Sequence, residues 1–247
     1  MALVKDIAIV LRRLDYSETS QVLAILTREH GQQRLIAKGV KRATKKGGGH
    51  AIDLLELGEV VFSLRADKDG TLAVLTEWRQ QETFPQLRRD LPKCYAGQYA
   101  AEVTAQLTEA HDPHAGLFDG LLGFLQKLAT EDAAAALVKY LWLMLKEIGL
   151  RPDLTRCVNC SQPVGGRGPL YFSSREGGAI CRDCEPAMIE KRRIPPAVAE
   201  WLGNGASAEA VTILAAFDLL DYHLTEIMSR PPKVGRLLRA ALHQARS

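Results

Sequence analysis

The sequence predicts an α+β multidomain fold: a five-stranded β-barrel at the N-terminus, an all-helical domain after it, and a four-cysteine module inserted among the helices. Three observations carry this expectation. Apolar residues alternate with period two in short runs through residues 3–80. Beyond Thr83 the period becomes that of helices. Four of the five cysteines fall in two tight pairs, Cys157 with Cys160 and Cys181 with Cys184, with helical stretches on either side.

The strands come first in the chain. Ile7, Ile9 and Leu11 alternate with Ala8, Val10 and Arg12; Leu23 and Ile25 mark a second run, and Leu35 and Ala37 a third. Val60, Phe62 and Leu64 alternate with Glu59, Val61 and Ser63, and Leu72, Val74 and Trp78 with Ala73, Leu75 and Arg79. Such alternation implies one buried and one largely wet face. Gly31 suits the positive φ of a hairpin turn, and Asp69-Gly70 marks a second hairpin. Five short strands in this length fit a small closed barrel and are too few for an immunoglobulin-like sandwich.

Helices follow. Cys94 to Leu107 and Leu117 to Leu128 read as two, and Asp132 is the expected N-cap of a third that runs to Ile148. Gly149 suits the position just past its end, and Pro152 blocks continuation. Ser207 is the expected cap of a long helix whose Ile213, Phe217, Leu220, Leu224 and Ile227 share one face; Val234 to Gln244 forms the last. The expected division is 1–82 for the barrel, 83–156 and 185–247 for the two parts of the helical domain, and 157–184 for the cysteine module.

The cysteine spacing is C-x-x-C, twenty residues, then C-x-x-C. Each two-residue gap lets a pair of thiolates converge from one turn, and two such turns complete the tetrahedron of a structural zinc site. With Cys157, Cys160, Cys181 and Cys184 all bound, no coordination position is left for water, so the zinc would not be catalytic. Tyr171 and Phe172 imply a short strand between the knuckles. A single CxxC would read equally as a redox pair, but two at ribbon spacing favour one structural ion. Cys94 stands alone in a helix, as a small buried hydrophobe.

Between Arg34 and Lys46 lie Arg34, Lys38, Lys41, Arg42, Lys45 and Lys46 with no acidic residue, leading into Gly47-Gly48-Gly49. Arg34, Ile36 and Lys38 share one strand face. A glycine-rich cationic loop can follow a phosphate backbone without reading its bases. An isolated basic run can equally be a solvated loop. Its position on a barrel of oligonucleotide-binding (OB) type favours nucleic acid, single strands included. Of the three barrel aromatics, Tyr16, Phe62 and Trp78, alternation sends Phe62 and Trp78 inward, so affinity should rest on charge more than on stacking.

Other classes are disfavoured. The net charge of +3 implies no partner by itself. The apolar stretch from Ala133 to Leu150 is interrupted by Lys139, Lys146 and Glu147, too short and too charged for a membrane span. No signal peptide is expected at the N-terminus, and the cysteines do not form a secreted disulfide pattern, which places the chain in the cytoplasm. No nucleotide-binding loop, nucleophile elbow or H-E-x-x-H motif is found, and the acidic residues and histidines are dispersed, His111 and His114 reading as parts of a polar loop; no enzyme is expected. An enzyme with an accessory zinc ribbon and a nucleic-acid-binding accessory or scaffold protein are the competing readings.

Several segments in order resemble the RecO family of bacterial recombination mediators. They are Ser17-Glu18-Thr19-Ser20, Leu26-Thr27-Arg28-Glu29-His30-Gly31 and Ala37-Lys38-Gly39-Val40-Lys41-Arg42 near the N-terminus. Then come Gly149-Leu150-Arg151-Pro152-Asp153-Leu154 before the first cysteine pair, Gly177-Gly178 before the second, and Tyr222-His223-Leu224 followed by Ser229-Arg230. Ser161 stands where the family often has glycine, and Lys45-Lys46-Gly47-Gly48-Gly49-His50 stands where its basic loop usually continues into Ser-Arg-like residues and an aromatic. The resemblance implies an OB barrel, a helical domain and a zinc module. It implies binding of single- and double-stranded DNA, annealing of complementary strands, and association with the nucleoid during repair. It further implies partnership with RecR and contact with the C-terminal tail of the single-strand binding protein SSB, so that RecA loads on coated strands.

Overall fold

The computed structural model describes residues 2–42, 51–64, 72–164, 168–205 and 208–244. Two compact units divide at residues 129 and 130. The first begins with five strands, β1 (Ala2–Asp15), β2 (Gln21–Thr27), β3 (Gly31–Ala37), β4 (Leu57–Leu64) and β5 (Ala73–Glu82). They close into a barrel in the order β1-β2-β3-β5-β4, in which β3 and β5 run parallel and every other pair antiparallel. This is the OB arrangement expected from the sequence. Closure falls to β1, whose fourteen residues pair with both β2 and β4. A bulge between Val10 and Arg12 bends it from one neighbour toward the other. Ala8, Val10, Leu23, Ile25, Leu35, Val60 and Phe62 fill the interior.

Two departures from simple alternation have local causes. Ile9 and Leu11 are buried as fully as Ala8 and Val10, because helix α1 (Leu91–Leu107) packs against β1 and removes its wet face. On β5 a register shift opposite Val61 and Phe62 changes the parity. Ala73, Leu75 and Trp78 all face the core, and Val74 does not join them. The expected Asp69-Gly70 turn lies outside the described residues.

Asp90 caps α1 by accepting from the Lys93 N–H at 3.1 Å, and Pro92 occupies the first turn, where its missing N–H costs nothing. Cys94 is half-buried on this helix, not fully buried as expected, and accepts from the Gln98 amide at 3.2 Å. Helix α2 (Ala115–Lys127) follows. The α1–α2 connection is tied to the barrel: His111 N–H donates to the Gln32 carbonyl at 3.0 Å, and Thr108 Oγ1 to Gln32 Oε1 at 2.7 Å. Gly31 has φ +65°, and a Cβ there would stand 2.2 Å from the Asp112 carbonyl oxygen, so both its turn and its neighbour require glycine. Arg28 grips Asp119 on α2 with two bonds of 3.0 and 2.9 Å. These ties explain why α1 and α2 fall in one compact unit with the barrel.

In the second unit, Asp132 caps α3 (Ala133–Glu147) through the Ala135 N–H, as expected, and Gly149 follows its end with φ +72°. Helix α5 (Ala210–Met228) packs along α3, and α4 (Pro196–Asn204) along α5, around Leu137, Leu141, Met144, Phe217, Leu220 and Leu224. The N-cap of α5 is Glu209; Ser207 lies outside the described residues. Helix α6 (Gly235–Gln244) ends the described chain. Between α3 and α4 three short strands, β6 (Leu170–Ser173), β7 (Gly178–Ile180) and β8 (Arg192–Ile194), form a sheet with β6 central. β8 and α4 carry no periodic signal long enough to read from sequence.

Candidate metal centre and nucleic-acid interface

The first cysteine pair sits on a tight turn. Cys157 N–H donates to the Gln162 carbonyl and Ser161 N–H to the Cys157 carbonyl, both at 2.8 Å. Ser161 closes the turn at φ +61°, a backbone region in which glycine is unstrained. The second pair follows β7 directly, with Glu185 N–H bonded to the Cys181 carbonyl at 3.1 Å. Main-chain bonds lock the two turns together: Val158 N–H to Ala179 O at 2.9 Å, and Ala179 N–H to Asp153 O at 2.8 Å. Gly178 lies so close to Asp153 that a Cβ would stand 2.5 Å from its carbonyl oxygen. The Gly149–Leu154 segment and Gly177-Gly178 are therefore two sides of one seam.

The four sulfurs lie within 4.8 Å of one another. Sulfurs about 2.3 Å from one ion at tetrahedral angles stand about 3.8 Å apart, and Cys160 Sγ and Cys181 Sγ are separated by 3.8 Å. Cys181 N–H points at Cys157 Sγ at 3.4 Å and the Asn159 amide at Cys184 Sγ at 3.3 Å, donors that favour thiolates. Burial raises the Cys157 thiol, but the backbone N–H groups of Cys160, Cys181 and Asn159 outweigh it and bring it down to about 6. For Cys184 the Asn159 amide lowers the thiol, while Cys181, burial, Cys160 and Cys157 together push it up to about 12. Four sulfurs this close disfavour full ionisation together unless a cation offsets their charge. The donor set fits a bound metal ion, and among the described residues no other group of three or more such side chains does.

Below this centre lies a network that sequence reasoning missed. Glu190 accepts from Ser173 Oγ at 2.6 Å, from the Ser174 and Arg175 N–H groups at 3.3 and 3.0 Å, and from the Tyr222 hydroxyl on α5. Beside it His223 is buried, with Nδ1 2.7 Å from Ser174 Oγ and Nε2 3.2 Å from the Leu150 carbonyl, a pattern that fits neutral imidazole. Burial lowers its pKa, against the Leu150 carbonyl and the Glu190 charge. Phe172 meets the His223 ring edge-on at 5.4 Å. Tyr222 and His223 thus fasten the cysteine module to α5. The only sequence signal for this role was the Tyr-His pair itself.

The expected cationic residues divide into three groups. Arg34, Lys38 and Arg42 are exposed, and no ion pair involves them among the described residues. Lys41 is folded against Asp15, Nζ to Oδ1 2.6 Å, and this bond, with a second from Gln21, lowers the Asp15 pKa. Lys45 and Lys46 lie outside the described residues. Loop ends meet here: Lys41 N–H donates to the Thr19 carbonyl at 3.1 Å and Gly39 N–H to Ser20 Oγ at 3.3 Å, so the Ser17–Ser20 turn and the Lys38–Arg42 turn are neighbours. Of the basic residues in the second unit, Arg239 is held by Asp218 and Asp221, Lys191 by Glu185, and Arg192 lies over the Tyr222 ring. His114 is bonded to Asp112 in the α1–α2 loop.

No helix among the described residues is long and apolar enough to cross a membrane. The family model described as Recombination protein O N terminal matches residues 1–84, which hold the barrel, and that described as Recombination protein O C terminal matches residues 88–234, from α1 up to the start of α6. Relatives carry the name DNA repair protein RecO. The one from Anaeromyxobacter sp. (strain K) is 34% identical over 97% of this chain and 88% of its own length. That of Anaeromyxobacter dehalogenans (strain 2CP-C) is 33% identical over 90% and 91%. That of Pelotomaculum thermopropionicum is 35% identical over 74% and 69%. With both family models matched in order on a closed OB barrel and a four-cysteine module, the chain belongs to the RecO family of DNA repair proteins.

Proposed function

We propose that this chain is a non-catalytic recombination mediator. It binds single- and double-stranded DNA, anneals complementary strands, and acts with RecR and the SSB C-terminal tail to load RecA on SSB-coated DNA. Arg34, Lys38, Lys41, Arg42, Lys45 and Lys46 contact phosphates. Cys157, Cys160, Cys181 and Cys184 hold one structural zinc ion, since four soft thiolates in a tetrahedral set suit zinc and leave no position for reactive water. The functional division follows 1–82, 83–156, 157–184 and 185–247. The protein works in the cytoplasm, at the nucleoid during repair.

The observation that carries this reading is a set of exposed cations on the outer face of a closed OB barrel, in a chain of the RecO family. Annealing needs no bond chemistry. A cationic surface lowers the repulsion between two phosphate backbones, and base pairing drives the rest. The test is a salt titration of binding to single- and double-stranded DNA, paired with an annealing assay, for the wild type and for a protein with Lys41, Arg42, Lys45 and Lys46 changed to Glu. With about four phosphate contacts to a single strand, the log–log salt slope is expected near −3, about −0.7 per contact. The variant is expected to bind all sequences more weakly, with a flatter slope, and to anneal slowly. Wild-type affinity and slope in the variant would remove this loop from the reading. Turnover of ATP or DNA that a point mutation abolishes would remove the non-catalytic part.

A further inference from the structure

The outer face of β1, β2 and β3 carries more than charge. Strand register sets Arg12, Ala24 and Arg34 side by side across the three strands, and in the next outward row Leu14, Val22 and Ile36. Beyond that row the same parity continues to Tyr16 and Lys38. Leu14 and Tyr16 are 57% and 66% exposed, high for large apolar side chains on a folded surface. Val22 and Ile36 are half-buried, and Arg12, Arg34 and Lys38 are exposed. The outward rows therefore differ in kind along the strands: guanidinium groups, then a strip of apolar carbon, and, just past the last paired residues, Tyr16 at the end of β1 and Lys38 at the end of β3. Asp15 adjoins Leu14 and Tyr16 in sequence and is paired with Lys41; Glu18 lies in the adjoining turn.

Of the barrel's three aromatics, Phe62 is wholly buried and Trp78 packs on the core under Gly58, which leaves Tyr16 as the ring on the surface. Its position is held from below. The turn that follows it is closed by Tyr16 N–H and Ser17 N–H to the Ser20 carbonyl at 3.0 and 3.2 Å, and is joined to the Lys38–Arg42 turn by the Lys41–Thr19 and Lys41–Asp15 bonds. A large exposed aromatic side chain on a hydrogen-bonded turn, on a face that also carries exposed cations, is poorly suited to solvent alone. It is well suited to a polymer with a charged edge and a flat apolar edge.

Building on the DNA-binding reading, we infer that Tyr16, with Leu14, Val22 and Ile36, is a base-stacking platform that makes this face selective for an unpaired strand. Phosphates lie along Arg12, Arg34, Lys38 and Arg42, and an unstacked base covers the Tyr16 ring. A duplex keeps its bases inside and can use only the cations. Stacking is tolerant of sequence because every base has a π-face.

The test uses the full-length protein and three ligands of equal length: oligo-dT, a single strand of abasic deoxyribose phosphates, and a duplex. The wild type is expected to bind oligo-dT more tightly than the abasic strand at the same salt. Tyr16→Ala should lower oligo-dT affinity about tenfold, within the range for one base stacked on one ring, with the salt slope and duplex affinity unchanged. Tyr16→Phe should keep wild-type affinity, and the emission of Tyr16→Trp should be quenched by oligo-dT and not by the abasic strand. Undiminished oligo-dT binding by Tyr16→Ala, while charge reversal at Arg34 and Arg42 still weakens it, would overturn the platform and leave the DNA-binding reading intact. Equal losses on all three ligands would also overturn it, by making Tyr16 a support for the turn. A wild type that binds none of the ligands would overturn both readings together.

Discussion

The cysteine module draws four side chains to one point, whereas the outer face of the barrel spreads its proposed DNA-binding groups along three strands. The module is built from tight turns and strands of three or four residues, and its sulfurs repel one another once ionised. The barrel has a closed ring of hydrogen bonds and an interior of Leu, Ile, Val and Phe, so its surface is free to vary. The lesson is about where a single change acts. In the module, the functional groups are also the structural ones, and losing one loses both. On the barrel, the groups proposed to bind DNA sit on the wet side of a scaffold that stands without them.

The sharpest break between the regions is at the metal. Cys160→Ser should take the metal content from about one ion per chain to nearly none and loosen residues 157–184 toward proteolysis. Structural zinc contributes about 10–16 kcal/mol to the folding of small zinc modules, so an incomplete shell is the largest single loss available here. Strands β1 to β5 should keep their amide-exchange protection. Elemental analysis and hydrogen exchange on the same sample read both outcomes; a barrel that opens along with the module would break the comparison.

The next largest effect belongs to the barrel's own tether. Gly31→Ala puts a Cβ into the Asp112 backbone at a left-handed φ and should cost about 3 kcal/mol, the sum of strain and displaced packing, measured by urea unfolding. Metal content should be unchanged.

A smaller effect separates the regions by pH. His223 has its pKa lowered from the ordinary 6.5 by burial, so the unfolded chain binds the extra proton first. Stability of the second unit is therefore complete above about 6.5 and declines as pH falls below that value toward the depressed folded pKa. His223→Gln should flatten this decline in thermal melts taken across pH, and the barrel unit should not share it.

The smallest effects are single charges on the barrel. Arg34→Glu or Arg42→Glu should each flatten the salt slope by about 0.7, one phosphate contact, with melting temperature unchanged. Lys41→Glu should flatten it less, because Lys41 is already spent on Asp15, and should cost some order in the Ser17–Ser20 turn. Equal slopes for all three variants would mean that the Lys41–Asp15 pair opens when DNA arrives.

Much of this was legible in the chain itself. The cysteine cluster was, because two C-x-x-C turns constrain their own geometry within four residues each and need only to meet. The five strands were, because period two is a local signal, and so were the cap at Asp132 and the turn at Gly31, which depend on one residue and its immediate neighbours. The family was visible in an ordered set of short segments, and the structure gives several of them a reason: Gly31 makes room for Asp112, and Gly178 for Asp153.

Only the tertiary structure decided what those elements face. That Ile9 and Leu11 are buried depends on a helix some eighty residues away. That Trp78 and Leu75 point the same way depends on a bulge, which no periodicity announces. The Glu190–Tyr222–His223 network joins groups more than thirty residues apart, and the Lys41–Asp15 pair joins two turns that no local pattern links. Arg12 and Leu14 share one surface with Val22, Arg34 and Ile36 through strand register alone. The physical reason is the same throughout: period, spacing and caps are set within a turn or two of backbone, whereas burial, pairing and shared faces are set by whichever distant segment comes to lie alongside.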